Sequence, residues 1–304
     1  MVETQNDSLP LPATVNPEEK KKALDDIATV SCRFGLIFLF SFLAGTALER
    51  NTPSAFSQWA FAIHNVTYLF LCVLLCIRFL PIRPKNIIQE ESRKKDQTIT
   101  AGVILSLFML CFMFLFDITL ISLLQGIHLV ERNQIVFEQM ISNPLVRIFT
   151  VGIIGPIAEE IIFRGILFSR LQKHGTLFAI LATAFTFAII HDGFNILVAF
   201  FFGILGGILR AATGNIFYSS FVHSCNNCAV LLLLGTSPNG LLIFSILLIC
   251  SVLFCFLYFK YRNIPLKKSV FSNSIHNIKV QIKAEKEKFT SFITIPIILL
   301  FVVI

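Results

Sequence analysis

Residues 155 to 165, GPIAEEIIFRG, set two adjacent glutamates and an arginine among Ile, Phe, Ala and Gly. An Asp, Lys or Arg at the centre of a membrane helix costs at least about 2.5 to 3.5 kcal/mol on insertion scales, so ionisable groups there face the protein interior or a wet cavity and mark function. Glu160 and Arg164 are four apart with the acid on the amino-terminal side, so on a helix they share a face and pair. Glu159 lies about 100° round the helix and is left free for chemistry. Two more polar sets follow: FAIIH puts Phe187 and His191 four apart, and HSCNN puts His223 and Asn227 four apart. An acid, an imidazole, and an imidazole with an amide make a hydrolytic site. In it a glutamate takes a proton from water, and donors or a metal stabilise the oxyanion.

The elements that must carry these groups are membrane helices. The chain of 304 residues is 55% hydrophobic and 14% charged, with mean hydropathy +0.78, against roughly 25% charged residues in soluble domains. Eight apolar runs are long enough to cross a hydrocarbon core of roughly 30 Å. They cover 28–48, 56–80, 99–124, 144–169, 177–191, 194–211, 216–234 and 241–259, with the fifth and sixth the least separable. The expected fold is therefore all-α, a polytopic membrane bundle. Glu159, Glu160 and Arg164 fall on the fourth run, His191 at the outer end of the fifth, shallower than Glu159, and His223 and Asn227 on the seventh. Gly155 and Pro156 are expected to bend or open the fourth helix, because Pro removes a backbone donor. Gly203 and Gly207 form a GxxxG, the mark of close helix packing.

Lys and Arg near helix ends stay on the cytoplasmic side. With both termini cytoplasmic, the inner stretches take Lys20 to Lys22, Arg33, Arg78, Arg83, Lys85, Arg93 to Lys95, Arg170, Lys173, Arg210 and the run from Lys260 to Lys288, while the outer ones keep Arg50, Arg132 and Arg147. The net charge of +7 thus reads as a topology signal facing an anionic leaflet, and nucleic acid is not called for. Residues 1–27 read as a flexible cytoplasmic tail without a signal peptide. Residues 28–143 hold the first three spans, 144–235 the core with the motifs, and 236–304 the eighth span with a basic tail. Within that tail 263–288 form a candidate interfacial helix, and 292–304 are apolar but short for a span, suited to dipping into the membrane. The eight cysteines lie in or beside the spans and give no disulfide framework. Cys225 and Cys228 make a CxxC after His223, a minor candidate for metal or redox chemistry beside its reading as apolar filler.

Three motifs in order, EExxxR, FxxxH and HxxxN, resemble the CAAX protease and bacteriocin-processing family of intramembrane glutamic or metallo-type proteases, also called CPBP or Abi. The likeness covers roughly residues 144 to 235 and takes in GILGGILRAATGNIF, similar to the family's Gly-rich helix and Thr-Gly turn. It implies an intramembrane endopeptidase of a multi-pass cell membrane protein, in a bacterial plasma membrane, acting on a membrane-associated peptide or protein in peptide maturation or bacteriocin self-immunity. By the same likeness Glu159 activates water with help from His191, while Glu160 and Arg164 pair. His223 and Asn227 then bind the oxyanion or a metal. Zinc held by Glu159, His191 and His223 is the metal-dependent form; the metal-free form is preferred, because the third motif supplies an amide. Membrane lipids and the substrate are the expected partners.

Alternatives remain open on the residues alone. The glutamates and Arg164 also read as a buried structural network, His191 as an interfacial histidine, and His223 with Asn227 as interhelical hydrogen-bond glue. Asp117 is a further intramembrane acid without an assigned partner. Two other functions compete: a non-proteolytic scaffold or regulator of the same family, and an ion-coupled transporter using Glu159 and Asp117, for which repeated halves with broken helices are expected and not seen.

Overall fold

In the computed structural model, residues 16–53, 56, 59–82, 84–88, 102–116, 143–191, 195–233 and 286–303 are described, and among them the regular elements are helices without a β-strand. Helix α1, Pro17–Arg50, starts well before the apolar run that it contains. Asn16 Oδ1 accepts the Glu18 backbone N–H at 3.0 Å, Pro17 occupies the first turn, and Glu18 and Glu19 suit the positive end of the helix dipole. The expectation of a flexible tail over 1–27 is corrected for residues 17–27, which are the first turns of α1.

Helix α2, Ala60–Phe79, packs along α1. A short α3, Pro84–Ile88, and α4, Gly102–Phe116, follow. Asp117 and the expected eighth span at 241–259 lie outside the described residues, as do 263–285. Helix α5 runs from Pro144 to Leu171 and changes winding on the way. It is α over Pro144–Arg147, π over Ile148–Ile154, α over Gly155–Glu160, π over Ile161–Leu167 and α over Phe168–Leu171, then closes in a 3-10 turn, Gln172–His174. The expected division between the fifth and sixth runs falls after Ile190, between α6, Thr176–Ile189, and α7, Asn195–Thr213. Helix α8 is Ile216–Leu233.

By length and composition α1, α2 and α7 are the three helices able to cross a membrane among the described residues; α4 and α6 are apolar but shorter. Helices α6 and α7 lie against each other where GxxxG was read: a methyl group at Gly203 would come within 2.6 Å of Ala184 Cα. Phe34 of α1, Phe163 of α5 and Phe187 of α6 form an aromatic column through the core, with ring centroids 5.7 and 5.1 Å apart. It fixes α5 at the centre of the bundle, with α1 and α2 on one side and α6 to α8 on the other.

Arg210, one of the topology cations, is buried and serves as a clamp. Its guanidinium donates to the backbone oxygens of Asn86 at 2.6 Å and Ile88 at 3.1 Å, and to Gly214, so it ties α3 to the end of α7. The apolar carboxyl-terminal stretch also has a protein partner. Residues 286–292 (α9) and Ile295–Val303 (α10) lie on α1 and α6. Phe292, Ile297 and Leu300 are buried, and Ser31 donates to the Phe292 carbonyl.

Candidate active site

Pro156 organises the site through the carbonyls that it leaves unpaired. In an α-helix the Gly152 carbonyl would accept from residue 156, and in a π-helix the Val151 carbonyl would. Proline has no N–H to give. The strand of backbone before it is π-wound, with Gly155 N–H donating to the Thr150 carbonyl. A Cβ at Gly155 would stand 2.9 Å from that oxygen, which explains the glycine. The two orphaned carbonyls are then met from α8: Asn227 Nδ2 donates to Val151 O at 3.0 Å, and the Cys228 thiol approaches Gly152 O at 3.6 Å. The expected opening of the helix at Gly155 and Pro156 is present, and it docks α8 against α5.

That docking brings His223, one turn before Asn227, to the glutamates. His223 Nδ1 is 3.2 Å from Glu160 Oε1, and Nε2 is 3.7 Å from Glu159 Oε2. Glu160 Oε1 also pairs with Arg164 Nη1 at 3.0 Å, and both side chains are completely buried. The two glutamates therefore differ as their spacing predicts. Glu160 is locked between a guanidinium and an imidazole, whereas the Glu159 side chain keeps 15% of its surface open. Arg164 stacks on Phe187 at 4.6 Å and Phe202 at 5.7 Å, so ring faces supply what carboxylate does not. Its Nε and Nη2 have no hydrogen-bond partner among the described residues.

His191 arrives by a local fold-back. Helix α6 stops at Ile189, but His191 Nδ1 bonds the Phe187 carbonyl at 2.7 Å, which lays the imidazole on the Phe187 ring at 4.7 Å. Because a carbonyl only accepts, Nδ1 carries the proton and Nε2 keeps its lone pair. Phe187 also meets His223, at 5.7 Å, so one ring touches His191, Arg164 and His223. The gap in depth expected between His191 and the α5 groups is bridged through this ring. The imidazole within 4 Å of Glu159 is that of His223; no ion pair joins Glu159 to His191 among the described residues.

His223 Nδ1 is within hydrogen-bond distance of Glu160, and Nε2 stands 3.7 Å from Glu159. Among the described residues no group of three His, Cys, Asp or Glu side chains could hold a metal ion. The trio of Glu159, His191 and His223 is thus gathered in one region without converging on a point. Cys225 and Cys228 are both free thiols.

Several contributors escaped the motifs. Ser219, buried and four residues before His223, sets a hydroxyl beside Glu160, and its helical spacing was the available signal. Phe202 stacks on His223 at 4.2 Å and looks in sequence like any of the 33 phenylalanines. Gly206 lies against the guanidinium: a Cβ there would be 3.1 Å from Arg164 Nε and Nη2.

With that geometry in place, the matches to known proteins fall on the same stretch. Residues 141–229 match the family model for "Type II CAAX prenyl endopeptidase Rce1-like". All the predicted site residues, Glu159 through Asn227, lie inside it. The chain is also 26% identical over 201 residues to "Putative membrane peptidase YdiL" of Bacillus subtilis (strain 168), an alignment covering 65% of this chain and 80% of that one. No solved structure matches. The likeness read from the three motifs is borne out by both matches.

Proposed function

We propose that the chain is an intramembrane endopeptidase that hydrolyses a peptide bond of a membrane-associated peptide or protein, with Glu159 as the base. The observation that carries this reading is the bridge of His223 between a buried Glu160 and a partly open Glu159, 3.2 and 3.7 Å away. The Glu160 to Arg164 pair orients His223 through Nδ1. Glu159 takes a proton from water as the water oxygen bonds to the scissile carbonyl carbon. The Asn227 amide donates to the oxygen on which charge develops. The C–N bond then breaks, and the proton held by Glu159 passes to the leaving amine. His191, with a free Nε2, is a second proton acceptor at the rim. Asn227 has one amide N–H on Val151 and a second to offer to the oxyanion. The match to a CAAX endopeptidase model and to a named membrane peptidase supports the reaction class.

The metal-free form is the one we favour, because Asn227 supplies an amide donor for the oxyanion. We further propose a multi-pass protein of a bacterial plasma membrane with both termini cytoplasmic, on the strength of the Lys and Arg asymmetry. Peptide maturation or self-immunity is the proposed setting. In the test, purified protein in lipid discs is given membrane-anchored peptides. Glu159→Gln is expected to cut the rate by about 100-fold to 10,000-fold with an unchanged melting temperature, and wild type is expected to survive a chelator. Stoichiometric zinc lost in step with activity would reassign the site to a metal. Full biological rescue by Glu159→Gln in cells would reassign the protein to a scaffold.

A further inference from the structure

Away from the site, the middle of α1, which carries Arg33, and the carboxyl-terminal end of α2, which carries Arg78, enclose an open groove of about 460 Å³, lined by Arg33, Leu36, Ile37, Arg78, Phe79 and Pro81. Arg33 Nη1 reaches the Phe79 carbonyl at 3.4 Å, and the Arg78 guanidinium stands 5.5 Å from the Phe79 ring. Neither arginine has a carboxylate partner among the described residues. By contrast Lys173 meets Asp26 at 2.7 Å, and Lys20 pairs with Glu287. The two arginines therefore form an unbalanced positive spot. Its surroundings are oily, with Leu36 53% and Phe79 49% exposed. Below it the outer faces of both helices continue apolar through Phe40, Leu43, Leu74 and Phe70, all exposed. Arg33 is five residues inside the start of the apolar run at Ala28, a depth of roughly 8 Å. That is the boundary between head groups and acyl chains, where long basic side chains keep their charge in the polar layer.

We propose that this groove binds the phosphate head group of an anionic phospholipid, with one acyl chain lying over Leu36 and Phe79. Guanidinium matches phosphate geometry with paired donors, and basic pockets between helices at the membrane surface are suited to acidic head groups. The apolar floor distinguishes the ligand from a free anion, which has nothing to place there.

The test uses the full chain in neutral detergent, with thermal unfolding and native mass spectrometry as readouts. Phosphatidylglycerol, phosphatidylcholine and inorganic phosphate are added separately. Phosphatidylglycerol is expected to raise the melting temperature and to stay bound, and phosphatidylcholine to do neither. An Arg33→Gln, Arg78→Gln double variant should bind phosphatidylglycerol roughly 30-fold more weakly. Arg147→Gln should bind as wild type does, and Arg33→Lys with Arg78→Lys should bind in between. The mass readout on wild type stands by itself if the glutamine variant does not fold: equal retention of phosphatidylcholine overturns the proposal. Undiminished phosphatidylglycerol binding by the double variant overturns it too, and the same stabilisation by inorganic phosphate would make the groove a simple anion site.

Discussion

Helices α1 and α2 and helices α5 and α8 answer the same apolar environment in opposite ways. The first pair are wound as α-helices without interruption over Pro17–Arg50 and Ala60–Phe79, and they present outward-facing side chains such as Phe40 and Phe70, 60% and 63% exposed. Their backbone groups are satisfied within each helix, as lipid requires. Helix α5 alternates α and π winding, and α8 crosses it with Ser219, His223, Asn227 and Cys228 on the contact side. A helix that only crosses can close its own hydrogen bonds. One that holds a buried charge and a proline must borrow donors from a neighbour, and the borrowing places the histidine.

The comparison breaks most sharply at the ion pair. Glu160→Gln or Arg164→Leu leaves one buried charge unmatched and is expected to cost about 3 to 5 kcal/mol, read as a large drop in melting temperature in detergent. Retained stability in either variant would mean that the pair is not as buried as 0% exposure of both side chains states.

A smaller effect is expected where α7 makes room for the guanidinium. Gly206→Ala adds a methyl group 3.1 Å from Arg164 and should cost about 1 to 3 kcal/mol as overpacking. The penalty should shrink in an Arg164→Leu background, which a double-mutant cycle measures. Additive losses would separate Gly206 from the arginine.

The borrowed donors give the next test. Asn227→Ala is expected to destabilise by about 1 kcal/mol through the lost bond to Val151. Pro156→Ala restores a backbone N–H, so in that background the same Asn227→Ala change should cost less. An equal cost in both backgrounds would show that Asn227 does not stand in for the donor that the proline lacks.

At the bottom of the scale, Phe70→Leu on the outer face of α2 should alter stability by no more than about 0.5 kcal/mol. A loss comparable with that of Gly206→Ala would mean that this face is covered by protein.

Much of the site was legible because chemistry in a membrane has to advertise itself. A carboxylate or an imidazole in an apolar run has few structural uses, and spacings of four select a common helix face. The pairing of Glu160 with Arg164 and the separateness of Glu159 follow from one turn of helix. Less legible was His191: linear depth put it shallower than Glu159, and the bond from Nδ1 to the Phe187 carbonyl, a contact over one turn, lays its ring on Phe187, which also meets Arg164 and His223. The tail at 17–27 was read from its polarity, while Asn16 and Pro17 are helix-start signals that polarity outweighs in such a reading.

The sequence by itself determined the apolar helical class, the acids and His223 on their helices, and the proline that had to disturb α5. These are properties of one residue or one turn, and short-range geometry decides them. The tertiary structure alone decided that His223 is the imidazole beside Glu159, that one phenylalanine joins three site residues, and that Gly206 exists for Arg164. Each of these depends on the angle and register at which helices distant in sequence cross, and packing of whole faces sets that register.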